Sequence, residues 1–329
     1  MTGPAATIDF DLDDLARATD VVRRHVPPTP QYRWPLLDEA VGSAVVVKHE
    51  NHTPVGAFKV RGGLVYLDRL VRERPDVAGV ASATRGNHGQ SLAFAGREYG
   101  TPVTIFVPHR NSVEKNAAMR ALGAAVVEYG DDFQEARERS AEVAVERGLE
   151  LVPPFHSDLV LGVATYAHEL LAATELDVVY APVGMGSGLN ALIRVRDLMG
   201  LSTRIVGVVS ENAQASRLSF EAGHVIATES AATFVDGVAT RSPDAAAIAG
   251  IVAGAADVIA VSDAATAEAM RILFRTTHNV AESAGAIGLA GLLATPRSER
   301  GRRSAVVLTG GNVDSDQFRR VLAGETPPA

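Results

Sequence analysis

The chain has 329 residues, 47% of them hydrophobic and 21% charged, with a net charge of −8 and no cysteine. Such a length can bury a sizeable core in one large domain or two ordinary ones, and the balance of apolar and charged residues excludes disorder as the main state. The absent cysteine excludes disulfides, thiolate metal sites and cysteine nucleophiles, and the acidic balance, without a dense basic cluster, excludes a surface that tracks a nucleic-acid backbone.

The first fifteen residues carry Asp9, Asp11, Asp13 and Asp14 and no continuous apolar run, unlike a signal peptide. No window approaches the roughly 20 apolar residues of a membrane span, so a soluble, cytoplasmic protein is expected. Short β-branched runs then alternate with helical patterns. They predict strands over 44–47, 77–82, 103–107, 125–129, 178–183, 204–209, 258–261 and 305–308, and helices over 89–99, 113–122, 133–147, 159–172, 189–198, 264–276, 284–293 and 315–322. Runs that are apolar along their whole length suit strands buried on both faces of a parallel sheet, and the alternation predicts an α/β fold. Ser262 and Asp263 are expected N-caps, and Gly100, Gly123 and Gly200 expected helix stops. The double proline in Leu151-Val152-Pro153-Pro154-Phe155 is the best candidate for a boundary. The alanine-rich stretch near 245–256 is too short to span a membrane.

One count stands out. Of 31 basic residues only Lys48, Lys59 and Lys115 are lysine, the other 28 being arginine. Lys59 lies in Asn51-His52-Thr53-Pro54-Val55-Gly56-Ala57-Phe58-Lys59-Val60-Arg61-Gly62-Gly63, beside apolar residues. An amine in apolar surroundings has a lowered pKa, as attack on a carbonyl requires. A surface lysine on a turn is the competing reading, weakened because arginine would serve there equally well. At Lys48 and Lys115 an arginine is expected to be tolerated.

Three further stretches follow predicted strands. Ser82-Ala83-Thr84-Arg85-Gly86-Asn87-His88-Gly89-Gln90 opens a helix, where backbone N–H groups suit a carboxylate, although alone it reads more simply as an ordinary capped turn. Pro182-Val183-Gly184-Met185-Gly186-Ser187-Gly188-Leu189-Asn190 lets the backbone wrap a phosphate. A dinucleotide fingerprint is its rival, with Glu211 as the ribose-binding acid, but Gly188 falls one residue too early for G-x-G-x-x-G. Leu308-Thr309-Gly310-Gly311-Asn312-Val313-Asp314 puts a hydroxyl and a tight turn at the carboxyl edge of a sheet, where open α/β folds bind ligands.

Together and in this order, the four stretches resemble the fold-type II enzymes that use pyridoxal phosphate, within them the threonine/serine dehydratase and serine racemase branch. The most specific parts are residues 56–62, similar to the family's S-F-K-x-R-G, then Gly86-Asn87-His88 and Thr309-Gly310-Gly311-Asn312. The resemblance implies an α/β fold like that of the tryptophan synthase β chain, with two open, twisted, mostly parallel sheets flanked by helices. It implies a large cofactor domain from residues 1–70 and 154–329, a small substrate-carboxylate domain from 71–153, and a homodimer. Carried over residue by residue, Lys59 would hold pyridoxal 5'-phosphate as a Schiff base and, once released, move the Cα proton. Phe58 would pack beside the ring and Asn87 would bond its 3-hydroxyl. Gly184, Met185, Gly186, Ser187 and Gly188 would bind the phosphate. Thr309 would face the ring nitrogen, and Glu282 matches a family acid near the ring, with a helix cap as the competing view. Thr84, Arg85, Gly86, Asn87 and His88 would take the substrate carboxylate. A hydroxyl at the ring nitrogen makes a moderate electron sink, which suits elimination at Cβ.

The implied reaction is therefore conversion of a small β-hydroxy amino acid, of the threonine or serine type, to a 2-keto acid and ammonia. The rivals are a racemase of the same family and a nucleotide-dependent oxidoreductase. Racemases of the branch place a serine base just before Gly-Asn-His, and here that residue is Arg85, which cannot act as that base at neutral pH. Arg85 either reaches a polar or acidic group on the substrate or pairs with a protein acid to brace the loop. Relatives with a divalent cation near the phosphate loop use a glutamate and then an aspartate. Here Glu211 is followed by Arg217, so no metal is expected and an Arg217–Glu211 pair is the suggested replacement. Gly162-Val163-Ala164-Thr165 stands where the family often reads G-Q-G-T, and Met185 and Ser187 stand where it has glycine.

Overall fold

The computed structural model describes residues 8–329, so the first seven residues of the acidic N-terminal segment and of the expected large domain lie outside the described residues. Ten strands form: β1 (Gln31–Arg33), β2 (Val45–His49), β3 (Val80–Ala83), β4 (Val103–Val107), β5 (Ala125–Glu128), β6 (Glu150–Leu151), β7 (Val178–Pro182), β8 (Arg204–Ser210), β9 (Asp257–Val261) and β10 (Ser304–Leu308). The helices are α1 (Leu12–Arg23), α2 (Pro35–Val41), α3 (Lys59–Glu73), α4 (Asn87–Tyr99), α5 (Val113–Ala121), α6 (Phe133–Arg147), α7 (Ser157–Ala173), α8 (Ser187–Leu198), α9 (Ala215–Ala222), α10 (Ala245–Gly254), α11 (Asp263–Thr277), α12 (Ser283–Ala294) and α13 (Ser315–Leu322), with 3-10 turns at Glu50–His52 and Asp236–Val238.

The strands make two sheets, one of six strands in the order β1-β2-β10-β7-β8-β9 and one of four in the order β5-β4-β3-β6. Among the described strands only the β1–β2 pair is antiparallel. The reason lies in the strand sequences. Along the larger sheet Val46, Val179, Ala181, Ile205, Ala305 and Val307 join one core, packed under α7, α8 and α10. Their neighbours Val45, Val47, Tyr180, Val206, Val306 and Leu308 join a second core, under α11 and α12. Side chains alternate across a sheet, so strands covered on both faces must be apolar throughout. The smaller sheet repeats the scheme with Val80, Val103 and Ile105 against α3 and α4 and Ala81, Ala83 and Phe106 against α6.

All eight expected strands and all eight expected helices form, most with shifted ends. Ser262 caps α11 through the Ala265 amide, and Gly100, Gly123 and Gly200 follow their helices with φ of +67°, +98° and +64°. The alanine-rich stretch near 245 becomes α10, and no helix among the described residues is long and apolar enough to cross a membrane.

Helix α3 begins at Lys59. It crosses α7 at a point where both backbones are bare. A Cβ at Gly62 would lie 2.7 Å from the Leu159 carbonyl oxygen, and one at Gly162 would lie 2.2 Å from the Arg61 carbonyl oxygen. Within the same turn of α7, the Thr165 hydroxyl accepts from Arg61 at 3.1 Å. Gly162 and Thr165 thus keep the two members of G-Q-G-T that touch α3, while Val163 and Ala164 face the apolar core. Gly162→Ala forces these helices apart and is expected to lower stability by about 1–3 kcal/mol, read as a fall in the urea midpoint. An unchanged midpoint would show that the crossing tolerates a methyl group.

Candidate active site

The loops that carry chemistry leave the carboxyl ends of β2, β3, β7 and β10. In the larger sheet β10 lies between β2 and β7, and in the smaller sheet β3 lies between β4 and β6. Open parallel sheets bind ligands at such edges because several loop ends converge there.

Lys59 is the first residue of α3, following Phe58, which is the helix N-cap. Its position is fixed from two sides. The Ser91 hydroxyl donates to the Lys59 carbonyl at 2.6 Å, and the Phe58 amide donates to the Thr309 carbonyl at 3.0 Å. The amine sits 4.9 Å from the centroid of the Phe58 ring. Removal from water lowers its pKa to about 8, against the opposing pull of Glu282. The surface-lysine reading is thereby overturned.

The turn after β3 brings Thr84, Arg85, Gly86, Asn87 and His88 to the same place. Thr84 Oγ1 accepts from the Gly86 amide at 3.2 Å. Asn87 Nδ2 donates to Glu282 Oε1 at 2.6 Å, and Asn87 Oδ1 accepts from Asn312 Nδ2 at 2.9 Å. His88 is buried and its Nε2 has no partner. Burial, and then the charge of Lys59, push its pKa down to about 3, so it is a neutral imidazole across the physiological range. Arg85 is exposed, and among the described residues its guanidinium meets no acid. Only its carbonyl is engaged, accepting from Asn111 at 3.2 Å. The loop-bracing pair weighed for Arg85 does not form.

In the third stretch Gly184 abuts the Asp236–Val238 turn so closely that a Cβ would lie 2.1 Å from the Gly237 carbonyl oxygen. Gly186 takes φ +92°, which aims the following amides along the start of α8. Asn190 holds this shape by donating to the Gly186 and Ala247 carbonyls at 2.9 and 3.1 Å. Ser187 is buried, the Met185 sulfur accepts from Thr240 at 3.9 Å, and the Gly188 carbonyl accepts from Tyr166 at 3.3 Å. The Tyr166 ring meets that of Phe58 edge-on, with centroids 6.0 Å apart, which links this loop to Lys59.

Thr309 follows β10 directly and its hydroxyl donates to the Ala284 carbonyl at 3.3 Å. Glu282 occupies the N-cap position of α12 but makes no capping bond, its carboxylate going to Asn87 instead. Burial raises its pKa above the usual carboxylate range, in spite of Lys115 and Asn87. Direct contacts thus link Asn87 to Glu282, Phe58 to Thr309, and Gly188 through Tyr166 to Phe58, beside Lys59.

Two expectations fail. Arg217 pairs with Glu221 at 2.9 Å, four residues on along α9, and not with Glu211. The other two lysines are not exchangeable surface charges. Lys48 is fully buried and meets Glu169 at 2.6 Å, and Lys115, with a side chain only 12% exposed, meets Asp236 at 3.3 Å. Lys115, Asp236, Asn312 and Tyr166 are the site neighbours to which the sequence reading gave no role. For Lys115 a signal existed, since the scarcity that singled out Lys59 applies equally to it.

Comparison with known proteins agrees with this arrangement. The model of the pyridoxal-phosphate dependent enzyme family matches residues 22–310. An L-threo-3-hydroxyaspartate ammonia-lyase of Pseudomonas sp. is 31% identical over 94% of this chain and 98% of its own length. An enzyme of the same description from Saccharomyces cerevisiae is 28% identical over 95% of this chain and 96% of its own. The solved structure of a threonine deaminase from T.th. superposes with a TM-score of 0.86 at 30% identity, covering 93% of this chain and 99% of that one. The dinucleotide reading of the Gly184 loop falls with these findings. Because the family match takes in every strand of both sheets, the chain belongs to the pyridoxal-phosphate dependent enzymes.

Proposed function

We propose that this protein is an ammonia-lyase that removes water and ammonia from a small β-hydroxy amino acid, leaving a 2-keto acid. The observation that carries the reading is the enclosed amine of Lys59, depressed to about 8, at the meeting point of the turn after β3 and the glycine loop after β7. The named substrates of the relatives, 3-hydroxyaspartate and threonine, are both β-hydroxy amino acids.

The residues present fit pyridoxal phosphate. Lys59 supplies the primary amine that attaches it. The close-packed backbone at Gly184 and the amides that open α8 make an anion cradle for its phosphate, shared by Met185, Gly186, Ser187 and Gly188. Asn87, with one Nδ2 hydrogen and one Oδ1 lone pair still free of its two bonds, can meet the ring hydroxyl. Phe58 and Thr309 complete the ring's surroundings, and Glu282 orients Asn87. When bound, the cofactor withdraws electrons from the substrate Cα, which makes its proton removable.

The protein's own part is then a matter of position and proton transfer. The Asn87 and His88 amides at the start of α4, on a turn held by the Gly86 amide to Thr84 Oγ1, take the substrate carboxylate. With the cofactor held, the Lys59 amine, whose pKa is lowered to about 8, would remove the Cα proton as a base. Arg85 keeps its proton and cannot serve as the base on the face opposite Lys59, so elimination is expected to outrun racemisation. Residues 71–153, which hold the whole smaller sheet, form in this reading a small carboxylate lobe, and 1–70 with 154–329 the cofactor lobe; α3 crosses the limit at 70. A cytoplasmic homodimer completes the proposal.

The test is a panel of β-hydroxy amino acids assayed for 2-keto acid and ammonia, with chiral analysis of the remaining substrate. Keto acid and ammonia in equal amounts, with substrate of unchanged configuration, are expected. Scrambled configuration without keto acid would replace this reading with that of a racemase.

A further inference from the structure

The turn that carries Arg85 opens on a cavity of about 500 Å³ that is also lined by Arg110, Asn111, Lys115, Asp131, Asp236 and Asp314. It adjoins the active site directly. A Cβ at Gly86 would lie 2.7 Å from Lys115 Cδ, so the lysine stem passes against the carboxylate turn, and its ammonium feels Glu282 as well as Asp236. Burial works against that ammonium, but Glu282 and Asp236 outweigh it and its pKa is raised.

Two of the three acids in the lining are already engaged. Asp236 pairs with Lys115, and Asp314 accepts from Ser112, while Asp131 is exposed to water. Arg85 shares a cavity with all three carboxylates and pairs with none. Its backbone is nevertheless held. Asn111 Nδ2 donates to the Arg85 carbonyl at 3.2 Å and to Asn116 Oδ1 at 2.7 Å, tying the turn to α5. The neighbouring Arg110 has φ +61°, a left-handed conformation that a non-glycine residue adopts at a cost. A guanidinium held by its backbone, free at its fork and facing a cavity beside the carboxylate turn suits a carboxylate brought by a ligand.

Resting on the ammonia-lyase reading, we propose that this cavity is a subsite for a second substrate carboxylate, that Arg85 is the residue selecting it, and that the substrate is a 3-hydroxy amino diacid. Lys115 supplies the positive wall between this subsite and Glu282. Such a substrate loses its Cα proton and 3-hydroxyl as one water, and the imine that follows takes one water back to release ammonia. A 2-oxo diacid remains, with no oxidant or reductant needed.

The binding test uses succinate and butyrate, which share a chain length and differ in the second carboxylate. In calorimetric titration of the holoenzyme, succinate is expected to bind on the order of 10-fold or more tightly than butyrate, with the gap closed in Arg85→Ser and partly kept in Arg85→Lys. In turnover, the ratio of kcat/KM for 3-hydroxyaspartate over threonine is expected to fall on the order of 10- to 100-fold in Arg85→Ser. Equal binding of the two acids by the wild-type enzyme, or a gap and a ratio that survive Arg85→Ser, would overturn the proposal. Should no β-hydroxy amino acid give keto acid and ammonia, the ammonia-lyase reading fails, while the succinate and butyrate titrations still decide the subsite.

Discussion

Lys59→Ala is expected to lower kcat/KM by about 10³-fold or more and to remove the visible absorption of the bound cofactor, with the far-ultraviolet dichroism of the fold unchanged. The argument has two parts. Alanine deletes both the attachment amine and the base that moves the Cα proton, and no other amine stands ready. Lys48 is sequestered with Glu169, and Lys115 is held charged by Glu282 and Asp236. Stability should change little, because the Lys59 side chain is a desolvated amine without a hydrogen-bond partner, a group whose removal leaves nothing unsatisfied. Lys59→Arg should be equally inactive, since a guanidinium does not lose its proton near neutral pH. The pH dependence follows from the same amine. Only its neutral form attacks the aldehyde of the cofactor, and its pKa of about 8 lies below the ordinary lysine value. The rate at which wild-type apoenzyme takes up pyridoxal phosphate should therefore rise with pH and level off above about 8. A Lys59→Ala protein that still turned over at near wild-type rate would remove the basis of the proposed mechanism.

The strands were legible because burial on both faces writes itself into local sequence as unbroken apolar runs, as in Val178 to Pro182. The elements that escaped notice are those whose pattern is short or mixed. β1 has three residues and is largely exposed, and β6 has two. α3 begins inside a stretch rich in glycine, a poor helix former, and owes its place to packing between α4 and α7. α1 carries a local signal, the capping box of Asp11 and Asp14, but in a segment with no continuous apolar run.

For the site, each glycine-bounded stretch was locally ambiguous, and order along the chain made the set specific. What order cannot convey is partnership. That Glu282 answers Asn87 across 195 positions, or that Arg85 lacks an acid while three carboxylates line its cavity, is a fact of three-dimensional placement. The lysine count is the one compositional signal that reaches this level, since none of the three is exposed: Lys48 is fully buried, and Lys59 and Lys115 are half-buried.

The largest effect on stability is expected at Arg61, two residues beyond Lys59. Its guanidinium is fully buried and makes a fork of bonds to Glu50 at 2.8 and 3.0 Å and to Glu169 at 2.9 and 3.0 Å. Glu169 also takes the Lys48 ammonium, so two cations and two anions share one enclosed site. Burial opposes the charge on Arg61, but Glu50 and Glu169 outweigh it and raise its pKa, while Glu169 is lowered by Arg61 and Lys48 despite its own burial. Arg61→Met keeps much of the volume and removes the charge. Two buried carboxylates then face a single lysine, and the loss is expected to be about 3–5 kcal/mol, read from urea unfolding. Adding Glu50→Gln to Arg61→Met restores charge balance and should recover part of that loss, a non-additivity measured by the double-mutant cycle. Lys48→Met alone should cost less, because Arg61 still answers both acids. A loss in Arg61→Met no larger than that in Lys48→Met would mean that the fork is replaceable by water and that packing against α4 and α7 suffices to hold α3.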